Sequence, residues 1–218
     1  MTESKTIFLA GASRGVGRAI ANRLRAQNYR VHALLRDSKA QFDLEALGIT
    51  VHFGDALDSE AVHRAVQASA PVDAVISTVG GLPRDGKGER ADYWGNKHLI
   101  DAAVATHAGR FILISSIGAG NSAPALPAQA MEVLGPVLAE KEKAEAHLIA
   151  SGLTYTVIRP GGLRSAPATG QGMLTEDPNV SGIIHRADVA QLVCDCLKDV
   201  DTHNQVFSAI DRQLMRDN

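Results

Sequence analysis

The sequence predicts an α/β fold in which the whole chain, residues 1–218, winds one parallel sheet with helices on both faces. Three observations carry this. Short runs rich in β-branched residues alternate with stretches of helical periodicity from start to finish. Runs such as Ile7–Ala10 and Phe111–Ile114 are continuously apolar, as strands covered on both faces must be. Connections are short except in two segments, near 118–136 and 161–184, which are expected to line a substrate site.

The first strand, Ile7–Ala10, stops at Gly11, and Val16, Ala19, Ile20 and Leu24 then recur at helical spacing. Between them lies Gly11-Ala12-Ser13-Arg14-Gly15-Val16-Gly17. A turn of this kind aims the free N–H groups and positive dipole end of a helix at the loop, which suits a pyrophosphate. Gly11 allows a sharp exit from the strand, Gly15 a close approach of backbone to phosphate, and Gly17 close packing of helix on strand. The spacing is Gly-x-x-x-Gly-x-Gly rather than Gly-x-Gly-x-x-Gly, but its place after a strand and before a helix is the context such a loop requires.

Tyr29–Leu35 reads as the second strand, with Arg36-Asp37 at its tip. An acidic side chain there accepts from the adenosine ribose, whereas arginine accommodates a 2′-phosphate. Arg36, with Arg14 as a second guanidinium, therefore favours NADP(H). The competing reading leaves Arg36 in solvent and gives the ribose to Asp37. A short helix over 40–47 and a strand over 48–53 follow, then Gly54-Asp55-Ala56-Leu57-Asp58. Asp55 can accept from an adenine amino group, while Asp58 is placed to cap a helix over 59–69.

Ala74–Ser77 is the fourth strand and breaks at Thr78-Val79-Gly80-Gly81, expected over the middle of the cofactor. The polar stretch Leu82–Glu89 reads as a mobile loop. A helix then begins at Asp92, with Asn96 a candidate to face the site and Tyr93, Trp94 and Leu99 core contacts. Arg110–Ser116 is the fifth strand. Ser115 and Ser116 at its carboxyl end can reach a substrate carbonyl near the nicotinamide, and in extended chain only one of the two faces the ligand. Residues 118–136 read as a proline-rich loop with a short helical piece, Val137–Ala150 as a helix, and Leu153–Arg159 as the sixth strand. Arg164–Gly182 reads as a flap offering Met173 and Leu174, Gln205–Ile210 as a closing strand, and Asp211–Asn218 as a frayed tail.

Gly11–Gly17 resembles the cofactor loop of the short-chain dehydrogenase/reductase superfamily. Gly54–Asp58, the Asp92–Ala103 helix with its Gly95-Asn96 and Leu99-Ile100-Asp101-Ala102-Ala103, and Arg186-Ala187-Asp188-Val189-Ala190 resemble the atypical branch, which includes NmrA-like and biliverdin-IXβ and flavin-reductase-like proteins. The resemblance implies a Rossmann fold, with Asp55 and Ala56 beside the adenine and Pro160, Gly161, Gly162 and Leu163 passing the nicotinamide. It also implies that Ser115 corresponds to the superfamily's active-site serine and Ser116 to that of the biliverdin-reductase-like subgroup. Lys141 takes the place of the lysine that holds the nicotinamide ribose.

One departure matters. The tyrosine expected four residues before that lysine falls on Val137, and taking Lys143 instead gives Ala139. Neither can transfer a proton. Two functional readings follow: an NADPH-dependent reductase of a small conjugated or carbonyl substrate such as a flavin, quinone or tetrapyrrole, or an NmrA-like NADP(H) sensor that turns nothing over.

Composition narrows the rest. A net charge of −2 gives no electrostatic reason for a nucleic-acid or anionic-membrane partner. No apolar stretch reaches a membrane span, and the N-terminus lacks a basic leader, so a cytoplasmic monomer or homodimer is expected. Cys194 and Cys196 fit neither a disulfide framework nor a zinc site, so buried thiols and no bound metal are expected.

Overall fold

The parallel strands that the apolar runs encode are all present in the computed structural model, which describes residues 4–81 and 88–216. In chain order the elements are β1 (Thr6–Ala10), α1 (Gly15–Ala26), β2 (Arg30–Leu35), α2 (Gln41–Ala46), β3 (Thr50–Phe53), α3 (Ser59–Gln67), β4 (Ala74–Ser77), α4 (Trp94–Ala105), β5 (Phe111–Ile114) and α5 (Ala128–Ala150). They continue with β6 (Tyr155–Pro160), β7 (Gly162–Arg164), β8 (Gly172–Thr175), β9 (Ser181–His185), α6 (Arg186–Cys196), β10 (Gln205–Asp211) and β11 (Met215–Arg216).

Eight strands form the main sheet in the order β3-β2-β1-β4-β5-β6-β10-β8, with every pairing parallel except β8 against β10. The chain winds outward from β1 in one direction through β2 and β3 and in the other through β4, β5 and β6. The switch point, where a doubly wound sheet opens a crevice, is therefore between β1 and β4. This is a Rossmann-type α/β fold.

Two apolar layers cover the sheet. On one face Ile20 and Leu24 of α1, Leu44 of α2 and Val189, Val193 and Cys194 of α6 pack on Ile7, Leu9 and Ile76. On the other, Val62 of α3, Leu99 and Ile100 of α4 and Ala144 and Leu148 of α5 pack on Phe8, Phe111 and Leu113. Both cysteines lie inside the first layer, and burial pushes their thiols up to about 12 for Cys194 and about 11 for Cys196.

Three segments differ from expectation. Helix α5 starts at Ala128 rather than Val137 and carries Pro136 inside it. Pro136 and Glu132, whose carbonyl loses its partner to the proline, are both exposed, so water satisfies the carbonyl and the helix continues. The expected helical piece before it is a 3₁₀ turn over Gly120–Ala125. The presumed flap over 164–182 is largely sheet, because β8 extends the main sheet and β9 joins β7 and β11 in a three-stranded sheet. The presumed frayed tail begins with a fully buried Asp211, whose side chain accepts from Gln213 N–H at 2.9 Å, and continues into β11. Most of the loop expected over Leu82–Glu89 lies outside the described residues.

Candidate functional site

The glycine loop is built to leave space on one side and none on the other. A Cβ on Gly11, whose φ is +93°, would lie 2.3 Å from Thr78 Oγ1, and one on Gly17 would lie 2.1 Å from Gly11 O. Thr78 closes this contact by donating its hydroxyl to Ala10 O and Gly11 O at 3.2 and 3.3 Å. Gly15, at φ +58°, is different, since a Cβ there would meet nothing nearer than Arg186 Nε at 3.7 Å.

Arg14, the N-cap residue of α1, gives no side-chain cap, and the first turn holds no acidic residue. The helix's first N–H groups thus face a space bounded by Ser13, Arg14 and Gly15, all exposed. Such an end fits the phosphate bridge of a dinucleotide. Ala12 is buried and Val16 nearly so, which anchors the loop, and Arg18 Nε holds Ala12 O at 3.3 Å.

At the tip of β2, Arg36 is exposed and has no ion pair among the described residues. Asp37 turns back on its own chain, its carboxylate accepting from Lys39 N–H at 3.2 Å as the cap of a 3₁₀ turn. Asp55 Oδ1 accepts from Leu57 N–H at 3.0 Å, and Asp58 caps α3 through Ala61 N–H at 3.0 Å. Ala56 packs against Gly95, and its carbonyl meets His98 Nδ1 at 2.9 Å.

Beyond β4, Asp92 organises the site in a way that sequence reasoning missed. It is 2% exposed; its Oδ2 accepts from Gly81 N–H at 2.8 Å and Arg90 Nε at 3.2 Å, and its Oδ1 pairs with Lys141 Nζ at 3.2 Å. Gly80 has to be glycine for this, because a Cβ there would lie 2.6 Å from Asp92 Oδ1. Lys141 is thereby held at the carboxyl end of β4. Asn96, a candidate to face the site, is instead buried, accepting from Ser77 Oγ and donating to Asp92 O at 2.8 Å and Val79 O at 3.2 Å. It fixes the bend after β4 from behind.

The two serines after β5 part company. Ser115 is buried and donates to Glu145 Oε1, and Glu145 is paired with Arg159 through Nε at 3.1 Å and Nη2 at 2.6 Å. Ser116 instead lines a cavity of about 590 Å³, together with Pro124, Leu126, Pro127, Leu134 and Gly162. Pro160 and Gly161 also line it, but Gly161 N–H already donates to Ala209 O at 2.9 Å, so this donor is not available to a ligand. Leu163 is exposed at the edge of the same strap. Among the described residues that line the cavity, none has a side chain that ionises. Met173 packs with Ile117, Ala125 and Ile210 beside it, whereas Leu174 belongs to the α1 layer.

A glycine-loop helix end after β1 and an apolar cavity after β5 and β6, both at the carboxyl edge of one parallel sheet, are the layout of a nicotinamide-dinucleotide-binding protein, and the chain belongs to the NAD(P)H-binding family, whose model matches residues 11–200. Among solved structures it is similar to ChuY, an anaerobilin reductase from Escherichia coli O157:H7, at 33% identity and a TM-score of 0.87, covering 98% of this chain and all of that one. Its relatives include the uncharacterized sugar epimerase YhfK of Bacillus subtilis, 32% identical over 92% of each chain. Sanguinarine reductase of Eschscholzia californica is 26% identical over 93% of this chain and 87% of its own.

Proposed function

We propose that the protein is an NADPH-dependent oxidoreductase acting on a small conjugated substrate, with hydride supplied by the reduced nicotinamide when that coenzyme is bound. The observation that carries this is the apolar cavity at the carboxyl ends of β5 and β6, on the same edge of the parallel sheet as the open N-terminus of α1. The reductases among its relatives support the reaction class.

In this reading the α1 N-terminus with Gly15 and Val16 receives the phosphate bridge, Arg36 and Arg14 receive the 2′-phosphate, and Asp55 and Ala56 flank the adenine. Asp37 supports the phosphorylated coenzyme by default, since its carboxylate is engaged with its own turn. Lys141, steadied by Asp92, holds the nicotinamide ribose. Thr78, Val79 and Gly80 lie under the middle of the dinucleotide, and Gly162 and Leu163 along its nicotinamide end. Ser116 offers its hydroxyl to a substrate oxygen or nitrogen, while Ser115 supports the floor beneath it.

With Val137 in place of a tyrosine and no ionising side chain in the lining, a substrate gains its proton from solvent. That suits flavins, quinones and tetrapyrrole-like acceptors, whose reduced forms disperse charge, better than a simple ketone, which needs a positioned acid. A cytoplasmic monomer or homodimer belongs to the same reading. Among the described residues no helix is long and apolar enough to cross a membrane.

The test is NADPH oxidation with a panel of flavins, quinones and linear tetrapyrroles, beside a simple ketone. Turnover of one conjugated class and none of the ketone is expected. Tight NADPH binding with no turnover of any acceptor would replace this reading by that of an NADP(H) sensor, which the missing tyrosine also favours.

A further inference from the structure

Arg186, the first residue of α6, is not accounted for by the site as the sequence outlines it. Its guanidinium runs beside Gly15, where Nε is the nearest atom to the face that glycine leaves open. Nη1 donates to Leu163 O at 3.3 Å and to Ser165 Oγ at 2.9 Å. Nε and Nη2 have no partner among the described residues, and no carboxylate pairs with the group. The neighbouring Asp188 is engaged elsewhere, accepting from Thr169 N–H at 3.0 Å and Gly170 N–H at 2.9 Å. A guanidinium that has no counter-ion among the described residues and presents its Nε–Nη2 edge beside an uncapped helix N-terminus is arranged to grip an anion bidentately.

We infer that Arg186 binds the phosphate bridge of the dinucleotide from the side opposite the α1 N-terminus, and through Nη1 ties the Leu163–Ser165 segment to it, so that coenzyme binding fixes one wall of the apolar cavity. This rests on the dinucleotide reading of the crevice. The segment concerned is continuous with Gly161 and Gly162, which line the cavity. Its exposed Leu163 and Arg164 have few other constraints, since among the described residues β7 pairs with β9 alone. A contact made by one edge to the coenzyme and by the other to this strap gives a physical route for the coenzyme to precede the substrate.

Arg186 and Arg36 are told apart by what they read. The phosphate bridge is common to NADH and NADPH, whereas the 2′-phosphate is not. Calorimetric titration of Arg186→Gln is therefore expected to show weaker binding of NADPH and NADH by a similar factor, about ten-fold or more, with Arg186→Lys recovering part of the loss. Hydrogen exchange of residues 162–166 is expected to slow when NADPH is added to the wild type, and to respond less in Arg186→Gln and in Ser165→Ala. Ser165→Ala, which leaves the Nε–Nη2 edge intact, is expected to keep NADPH affinity within about two-fold. Wild-type binding of NADPH together with unchanged affinity in a folded Arg186→Gln protein overturns the inference and leaves the dinucleotide reading standing. No binding of either coenzyme by the wild type removes that reading and the inference with it.

Discussion

Across the crevice, the glycine-loop side and the cavity side are made from different materials. The first is backbone and guanidinium: free N–H groups at the head of α1, with Arg14, Arg36 and Arg186 disposed around them and no carboxylate engaged with any of the three among the described residues. The second is prolines, leucines and glycines brought from the 3₁₀ turn before α5, from α5 itself and from the strap after β6. Apart from the hydroxyls of Ser116 and Ser181 in the lining, its polar groups are withdrawn one layer down, into the buried set of Ser115, Glu145 and Arg159, to which the exposed Asn121 is joined. In the proposed reading one side holds the charged part of a ligand and the other takes an uncharged ring system. The difference teaches that the two halves of this site have separate failure modes, one electrostatic and one of packing.

The sharpest way to break the cavity side is Glu145→Ala. It strands the Arg159 guanidinium in a site where both groups are about 5% exposed, and leaving a buried charge unpaired costs about 3–5 kcal/mol. Urea unfolding should show a loss of that size, with the cavity's lining disturbed as well because Asn121 shares Arg159. Ser115→Ala removes one hydrogen bond of the same group and should cost about 1 kcal/mol. Ser116→Ala should leave stability unchanged and act on substrate KM or kcat instead. Equal effects of the two serine substitutions on unfolding would dissolve the distinction between cavity lining and floor.

On the glycine-loop side the expected effect is one of selectivity. Arg36→Asp should weaken NADPH by about ten- to a hundred-fold, the range of one or two charge-assisted hydrogen bonds, while leaving NADH unchanged or tighter. Stability should not move, since Arg36 is exposed and unpaired. Competition titrations with both coenzymes check it, and an unchanged preference would remove Arg36 from the site.

This contrast also explains what could be read from the sequence. The glycine loop and the strand end at Arg36 were legible because each is a local pattern: a strand, a turn and a helix start within about a dozen residues. The order of the strands was not, since it is set by pairings between distant segments. Lys141 was legible only through the resemblance, and its partner Asp92 was hidden, since forty-eight residues of chain lie between the two. The cavity was harder still. Pro136 reads locally as a stop, so the first two turns of α5 that carry Ala130 and Leu134 into the lining were taken for loop. β8 reads locally as a flap because its partner, β10, lies thirty residues on and supplies the pairing that makes it a strand. Ser115 and Ser116 were indistinguishable until Glu145, on another element, claimed one of them.

The smallest expected effect sharpens the comparison from outside the crevice. His32 on β2 and His52 on β3 stack with ring centroids 5.3 Å apart, and Nδ1 of the first meets Nε2 of the second at 3.0 Å, with Ser69 Oγ 3.2 Å from that same nitrogen. Only one of the two facing nitrogens can carry a proton, so a doubly protonated pair would oppose two donors and two charges. Burial lowers the pKa of both rings, and for His32 the charges of His52 and Arg30 lower it further. A ring that resists protonation in the folded state gains protons on unfolding. Its contribution is therefore complete above the ordinary histidine value of about 6.5 and is lost as pH falls through the lower folded value. The urea midpoint should drop between pH 7.5 and pH 5.5, and His52→Asn should flatten that slope while costing some stability at the higher pH. The side chains that line the cavity add nothing to such a slope, because among the described residues none of them titrates. If His52→Asn leaves the slope as steep as before, the acid sensitivity belongs elsewhere, and the β2–β3 edge is held by packing in the same way as the cavity.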